Sequence, residues 1–209
     1  MSDAASLLDA TRNTPRKSTL GSPPPFSYRA RMIGFLRFVG ITNAAIWLGA
    51  SVFYTVGAGP AAASSDMQAL LGPKYFPYFS GAVAQIILAR YFHFHLACAT
   101  IALLHLLAER IYLGRTARRL WLGLLAALFG FSLLGSVWLG PKLARLHRAQ
   151  HVLSAAPAQR ETAAKSFRLW HGVFQAVNVL MIGGVVVCLW RVANPPDELR
   201  FVGSPKFRG

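Results

Sequence analysis

The residues best suited to chemistry in this sequence are its histidines. Three of the six lie in one stretch, RYFHFHLACATIALLHLLAER, as His93, His95 and His105. The rest of that stretch is apolar enough to sit in lipid, where an imidazole is unfavourable unless it faces protein, water or a ligand. An imidazole there can ligate a metal or a haem iron, or hydrogen-bond one helix to another. His171 is followed by Gln175 and Asn178 at spacings that stack all three on one helical stripe. His147 and His151 are helical neighbours, close enough to share one ion or to contact lipid at the membrane surface. Arg148 stands where a zinc-protease helix would carry Glu, which argues against that enzyme class. His105 has Glu109 one turn later, a pair suited to proton relay or to an interfacial salt bridge. Asn43 is expected at similar depth.

The elements that must hold these residues are membrane spans. Apolar residues make up 54% of the 209, and mean hydropathy is +0.41. They come as long blocks, at residues of about 36–58, 91–113, 120–139 and 169–190, each long enough to cross the hydrocarbon core. The predicted fold is all-α: an integral membrane four-helix bundle with interfacial helices, over residues 31–192. Residues 1–30, rich in Pro, Ser and Arg, are predicted to be a disordered basic tail, and 193–209 a short cytoplasmic tail. Residues 61–90 begin as a polar loop and continue, through Tyr75, Phe76, Tyr78 and Phe79, as an interfacial helix or run-in to the second span. Leu143 and Leu146 put apolar groups on one face of a surface helix, with cations on the other. Gly123, Ala127 and Gly130 suggest close helix approach in the third span. No further repeat is visible.

Lys and Arg number 22 against 7 Asp and Glu. Most flank the apolar blocks, which reads as a topology signal; no nucleic-acid-binding signature accompanies them. With four spans, fourteen cations fall on the side of both termini and eight on the other. That predicts a cell-membrane protein with cytoplasmic termini. His93, His95, His147, His151 and His171 then gather near the non-cytoplasmic face. Cys98 and Cys188 lie inside apolar blocks and read as small buried hydrophobes.

Several fragments, RYFHFH, SVWLGPKLARLHRAQHVL and SFRLWHGVFQAVNVLMI, resemble the transmembrane protein 205-like family over residues of about 35–192. The marks are Trp47, Tyr91-Phe92-His93, Trp138 with Pro141-Lys142, Phe167, His171-Gly172 and Asn178. The resemblance implies a four-helix integral membrane protein and brings no settled activity or cofactor. FPYFSGAVAQIILAR, before YFH, lengthens the segment between the first two spans.

No Ser-His-Asp set, phosphate loop, dinucleotide fingerprint or carboxylate pair appears, so no catalytic residue is assigned. The leading expectation is a membrane protein that binds or passes a solute or ion, or serves as a partner subunit. Its polar cluster would be His93 or His95 with His171, Gln175 and Asn178, and His93 is expected to approach His171 above Asn178. A bis-histidine haem carrier and a membrane-bound enzyme are the alternatives. The sequence requires no cofactor; haem or a metal ion would be the candidates. Expected partners are membrane lipids, including anionic ones, and a second copy or another protein, but not nucleic acid.

Overall fold

The computed structural model describes residues 25–113 and 119–194. The predicted tails lie outside them apart from residues 193–194 and residues 25–30, the latter forming the start of a helix rather than disordered chain. Among the described residues the protein is helical without strands. In chain order the elements are α1 (Pro25–Phe53), α2 (Gly59–Ala62), α3 (Ser65–Leu113), α4 (Arg119–Leu134), α5 (Gly140–Ala149) and α6 (Pro157–Ala193). The bundle described below begins at Phe35. Four helical stretches are long and apolar enough to cross a membrane: Arg31–Ala62, Ser65–Tyr112, Arg119–Ala149 and Pro157–Ala193. The protein is therefore an all-α membrane helical bundle.

Three features depart from the sequence reading. Residues 65–90 are helical rather than loop: 65–71 is a short helix ended by the kink at Gly72, and from Pro73 the chain is the expected run-in to the second span, continuous with it in the 49-residue α3. Gly72 takes φ 73° and Pro73 follows it. A left-handed glycine before a proline stops one helix, and the proline's fixed φ starts the next. Likewise the third span runs on into α5, and α6 begins at Pro157, well before Leu169. About 20 residues suffice to cross a bilayer, so the 37 residues of α6 extend past it.

The second departure is a repeat. π-helical turns occupy Tyr54–Ala58 and Gly135–Leu139, joining α1 to α2 and α4 to α5. Each is followed by Gly-Pro. A proline inside an α-helix supplies no N–H and strikes the carbonyl four residues back. Here the preceding glycine N–H reaches a fifth residue back, Gly59 to the Tyr54 carbonyl and Gly140 to that of Gly135. That widened turn makes room for the ring. Ser51, Gly59 and Pro60 recur as Ser132, Gly140 and Pro141 at one constant offset. Both serines are fully buried, and each donates to the carbonyl one turn back, Trp47 or Leu128.

The third concerns small residues. Gly123 and Gly130 face open space; close approaches occur instead at other glycines, among them Gly135 and Gly184. A Cβ at Gly135 would lie 2.2 Å from Phe92, and one at Gly184 would lie 3.0 Å from Leu128.

The core has two layers. Trp47, Cys98, Ala99, Leu125, Leu128, Met181, Val185 and Cys188 belong to the first, and both cysteines are buried and unpaired. Toward α5, Leu88, Tyr91, Phe92, Leu139, Leu143 and Phe174 form the second.

Candidate functional site: a buried polar network

A chain of polar side chains runs along the join between the two layers. α1 contributes Trp47 and Ser51, the adjoining π turn Thr55, α3 Tyr91 and His95, and α6 Asn178. The His95 ring is fully buried. Trp47 Nε1 donates to His95 Nδ1 at 3.0 Å. An indole only donates, so His95 Nδ1 carries no hydrogen and the ring proton sits on Nε2. That nitrogen donates to Ser51 Oγ at 3.1 Å, and the Ser51 hydroxyl donates to the Trp47 carbonyl at 2.7 Å. The imidazole is thus neutral with both nitrogens engaged. Trp47 meets it edge-on at 5.7 Å between centroids, and Tyr91 lies 4.1 Å away.

A second relay adjoins the first. The Tyr91 hydroxyl donates to Asn178 Oδ1. Asn178 Nδ2 donates to Thr55 Oγ1 at 2.8 Å, and Thr55 Oγ1 donates to the Ser51 carbonyl at 2.8 Å. Tyr54 stacks on Tyr91 at 4.1 Å and 15°, and Phe174 packs edge-on to Tyr54 and Phe92. Three membrane helices are tied together in this way. Within lipid such contacts fix helix rotation, because an unpaired polar group has no water to turn to.

The proposed cluster is brought together in part. His95 and Asn178 belong to the network, which also holds Trp47, Ser51, Thr55 and Tyr91. His93 does not: it is exposed, and its Nδ1 bonds the Ala89 carbonyl of its own helix at 2.6 Å. Two residues of helix turn separate His93 from His95, and packing sends only His95 inward. Gln175 is exposed. His171 lies half-buried, stacked on Phe167 at 5.8 Å, and its buried Nδ1 has no hydrogen-bond partner. The expected pairing of His93 with His171 is absent among the described contacts.

His147 and His151 are neighbours, 4.8 Å between centroids, but not as an ion site. His147 Nε2 donates to the Tyr78 carbonyl at 3.0 Å, and its Nδ1 accepts from Gln150 Nε2 at 3.0 Å. His151 Nδ1 donates to the His147 carbonyl at 2.9 Å. Among the described residues, no group of three or more His, Cys, Asp or Glu could hold a metal ion. At the other end His105 bonds the Leu36 carbonyl at 2.8 Å rather than Glu109, and Asn43 bonds the Cys98 carbonyl at 3.0 Å.

A common geometry emerges. His95, His105 and His147 each reach from one helix to another, from α3 to α1 twice and from α5 to α3 once. His105 and His147 do so across a glycine: a Cβ at Gly40 would lie 2.9 Å from His105, and one at Gly81 would lie 2.1 Å from His147. Arg37 Nη2 adds a bond to the Ala193 carbonyl at 2.6 Å, satisfying a C-terminal carbonyl of α6. Sequence reasoning named Trp47 and Tyr91 only as family marks. The signal for their role was available: Trp47, Ser51 and Thr55 lie four apart on one stripe of α1.

Fold and site together define a polytopic helical membrane protein whose helices are locked by a hydrogen-bonded core. Residues 43–152 match a family described as a domain of unknown function, DUF4149, and the chain belongs to that family. The match takes in Trp47, Ser51, Thr55, Tyr91 and His95, and ends before Asn178. No curated protein and no solved structure matches the chain.

Proposed function

We propose that this protein is a membrane-embedded subunit of the transmembrane protein 205-like kind, which acts through contacts of its surface with a partner protein or lipid. Its buried polar residues lock helices. The observation that carries this reading is the saturation of the network. Both His95 nitrogens and the Ser51 hydroxyl are bonded within the bundle, and the Tyr91 hydroxyl is bonded to Asn178. A solute, proton or haem iron would have to break those bonds to reach His95. The outer faces, in contrast, present large apolar side chains: Phe38, Phe53, Leu104, Ile111, Leu180 and Trp190 are 58 to 72% exposed.

The test uses full-length protein in detergent and in liposomes. His95→Gln, which keeps hydrogen bonding at reduced fit, is expected to lower the melting temperature. It should change neither the visible spectrum nor any passive cation or anion leak. A Soret band, or a flux lost in a His95→Gln protein that still folds, would establish the carrier or transport reading instead.

A further inference from the structure

We propose that the bundle end carrying α5 binds the phosphate of an anionic glycerophospholipid through Lys142, with Arg145 beside it. This requires α5 to lie at the membrane surface and does not rest on the subunit reading.

Lys142 is held in an unusual setting. Its ammonium lies 3.5 Å from the Trp170 ring centroid and 4.5 Å from that of Trp138. The two indoles meet edge to face at 5.0 Å and 87°. Aromatic faces attract the charge but accept its N–H groups poorly, so the ammonium is positioned while its hydrogen-bonding capacity stays largely unused. Among the described residues the one ion pair is Lys165 with Glu161, so no carboxylate is paired with Lys142.

Charge and depth choose the occupant. No Asp or Glu occurs between Glu109 and Glu161, and α5 presents Arg145 and Arg148 outward while Leu143 and His147 are buried. Trp138 lies in the π turn at the end of α4. Tryptophans prefer the headgroup level of a bilayer, and two of them bracket Lys142 there. Phosphate is the anion a membrane offers at that depth. A basic collar whose Lys142 has no carboxylate paired with it favours lipids of net negative charge over zwitterionic ones, whose own cation it repels.

The experiment is native mass spectrometry and thermal unfolding of full-length protein in mild detergent, titrated with phosphatidylglycerol, phosphatidylcholine or inorganic phosphate. Phosphatidylglycerol should be retained and should stabilise; the other two should do neither at equal concentration. Lys142→Gln should retain about fivefold less phosphatidylglycerol, the loss expected for one cation near a membrane surface. Lys142→Arg should keep it, and Arg110→Gln, in the last turn of α3, should leave it unchanged. A photoactivatable phosphatidylglycerol should label peptides from α5 or around Trp170 in the unaltered protein, which tests the site even if Lys142→Gln misfolds. Equal retention of both lipids, stabilisation by inorganic phosphate alone, or labelling confined to other peptides overturns the proposal.

Discussion

At the scale of single residues, the bundle treats histidine as a long hydrogen-bonding arm. An imidazole reaches further than a serine and offers one donor and one acceptor in the neutral form, so it can span two helices that a glycine has let come close. His95 shows how far this commits the core. Trp47→Phe keeps an aromatic ring but deletes the indole donor, and should cost about 1–3 kcal/mol, because it leaves the buried His95 Nδ1 unpaired. His95→Ala should cost about 2–4 kcal/mol, because it also opens a cavity and leaves the buried Trp47 N–H unpaired. Thermal unfolding in detergent orders the two; equal losses would mean that packing alone sets the effect. The sequence marks His95 and Asn178 as polar groups in spans. It does not separate His95 from His93, since two residues on a helix point apart and only the neighbouring Trp47 and Ser51 decide which turns inward. His171 shows the same gap: its stripe and its i,i+4 contact with Phe167 are legible, but how deeply its ring is buried depends on how α6 rotates.

At the scale of elements, apolar blocks reveal where a chain crosses lipid but not where a helix ends. Residues 65–90 look like a loop and an approach because Gly72, Pro73 and Pro77 interrupt them, yet a proline near a helix start is compatible with helix. Gly-Pro at 59–60 and at 140–141 likewise looks like a stop. Each instead sits just past a π turn, where the extra residue relieves the ring. The consequence can be measured. Deleting exposed Val137 together with Pro141→Ala should convert the turn to α-helix and keep most of the folded yield. Deleting Ala127, inside regular helix, should rotate every later residue by about 100° and abolish folding. Comparable yields from the two deletions would show that the π turn is not a one-residue insertion.

For the whole molecule the open question is orientation. Four crossings would put both termini on one side with the loop after α3, and the cation count, fourteen against eight, predicts that this side is cytoplasmic. Reporter fusions at the C-terminus and after residue 65 are expected to report opposite sides, with the C-terminus cytoplasmic. Reports from the same side would be incompatible with four crossings. Mechanically, the helices are unlike one another. α3 is a single rod from Pro73 onward: it carries Tyr78 and Gly81, which seat His147, and further along it Tyr91 and His95. Alongside it stand two elbows, at Tyr54 and Gly135, resting on consecutive residues of the rod, Tyr91 and Phe92. Both widened turns therefore bear on one patch of α3, and a change of ring size at Tyr91 or Phe92 is felt at the joint of α1 or of α4.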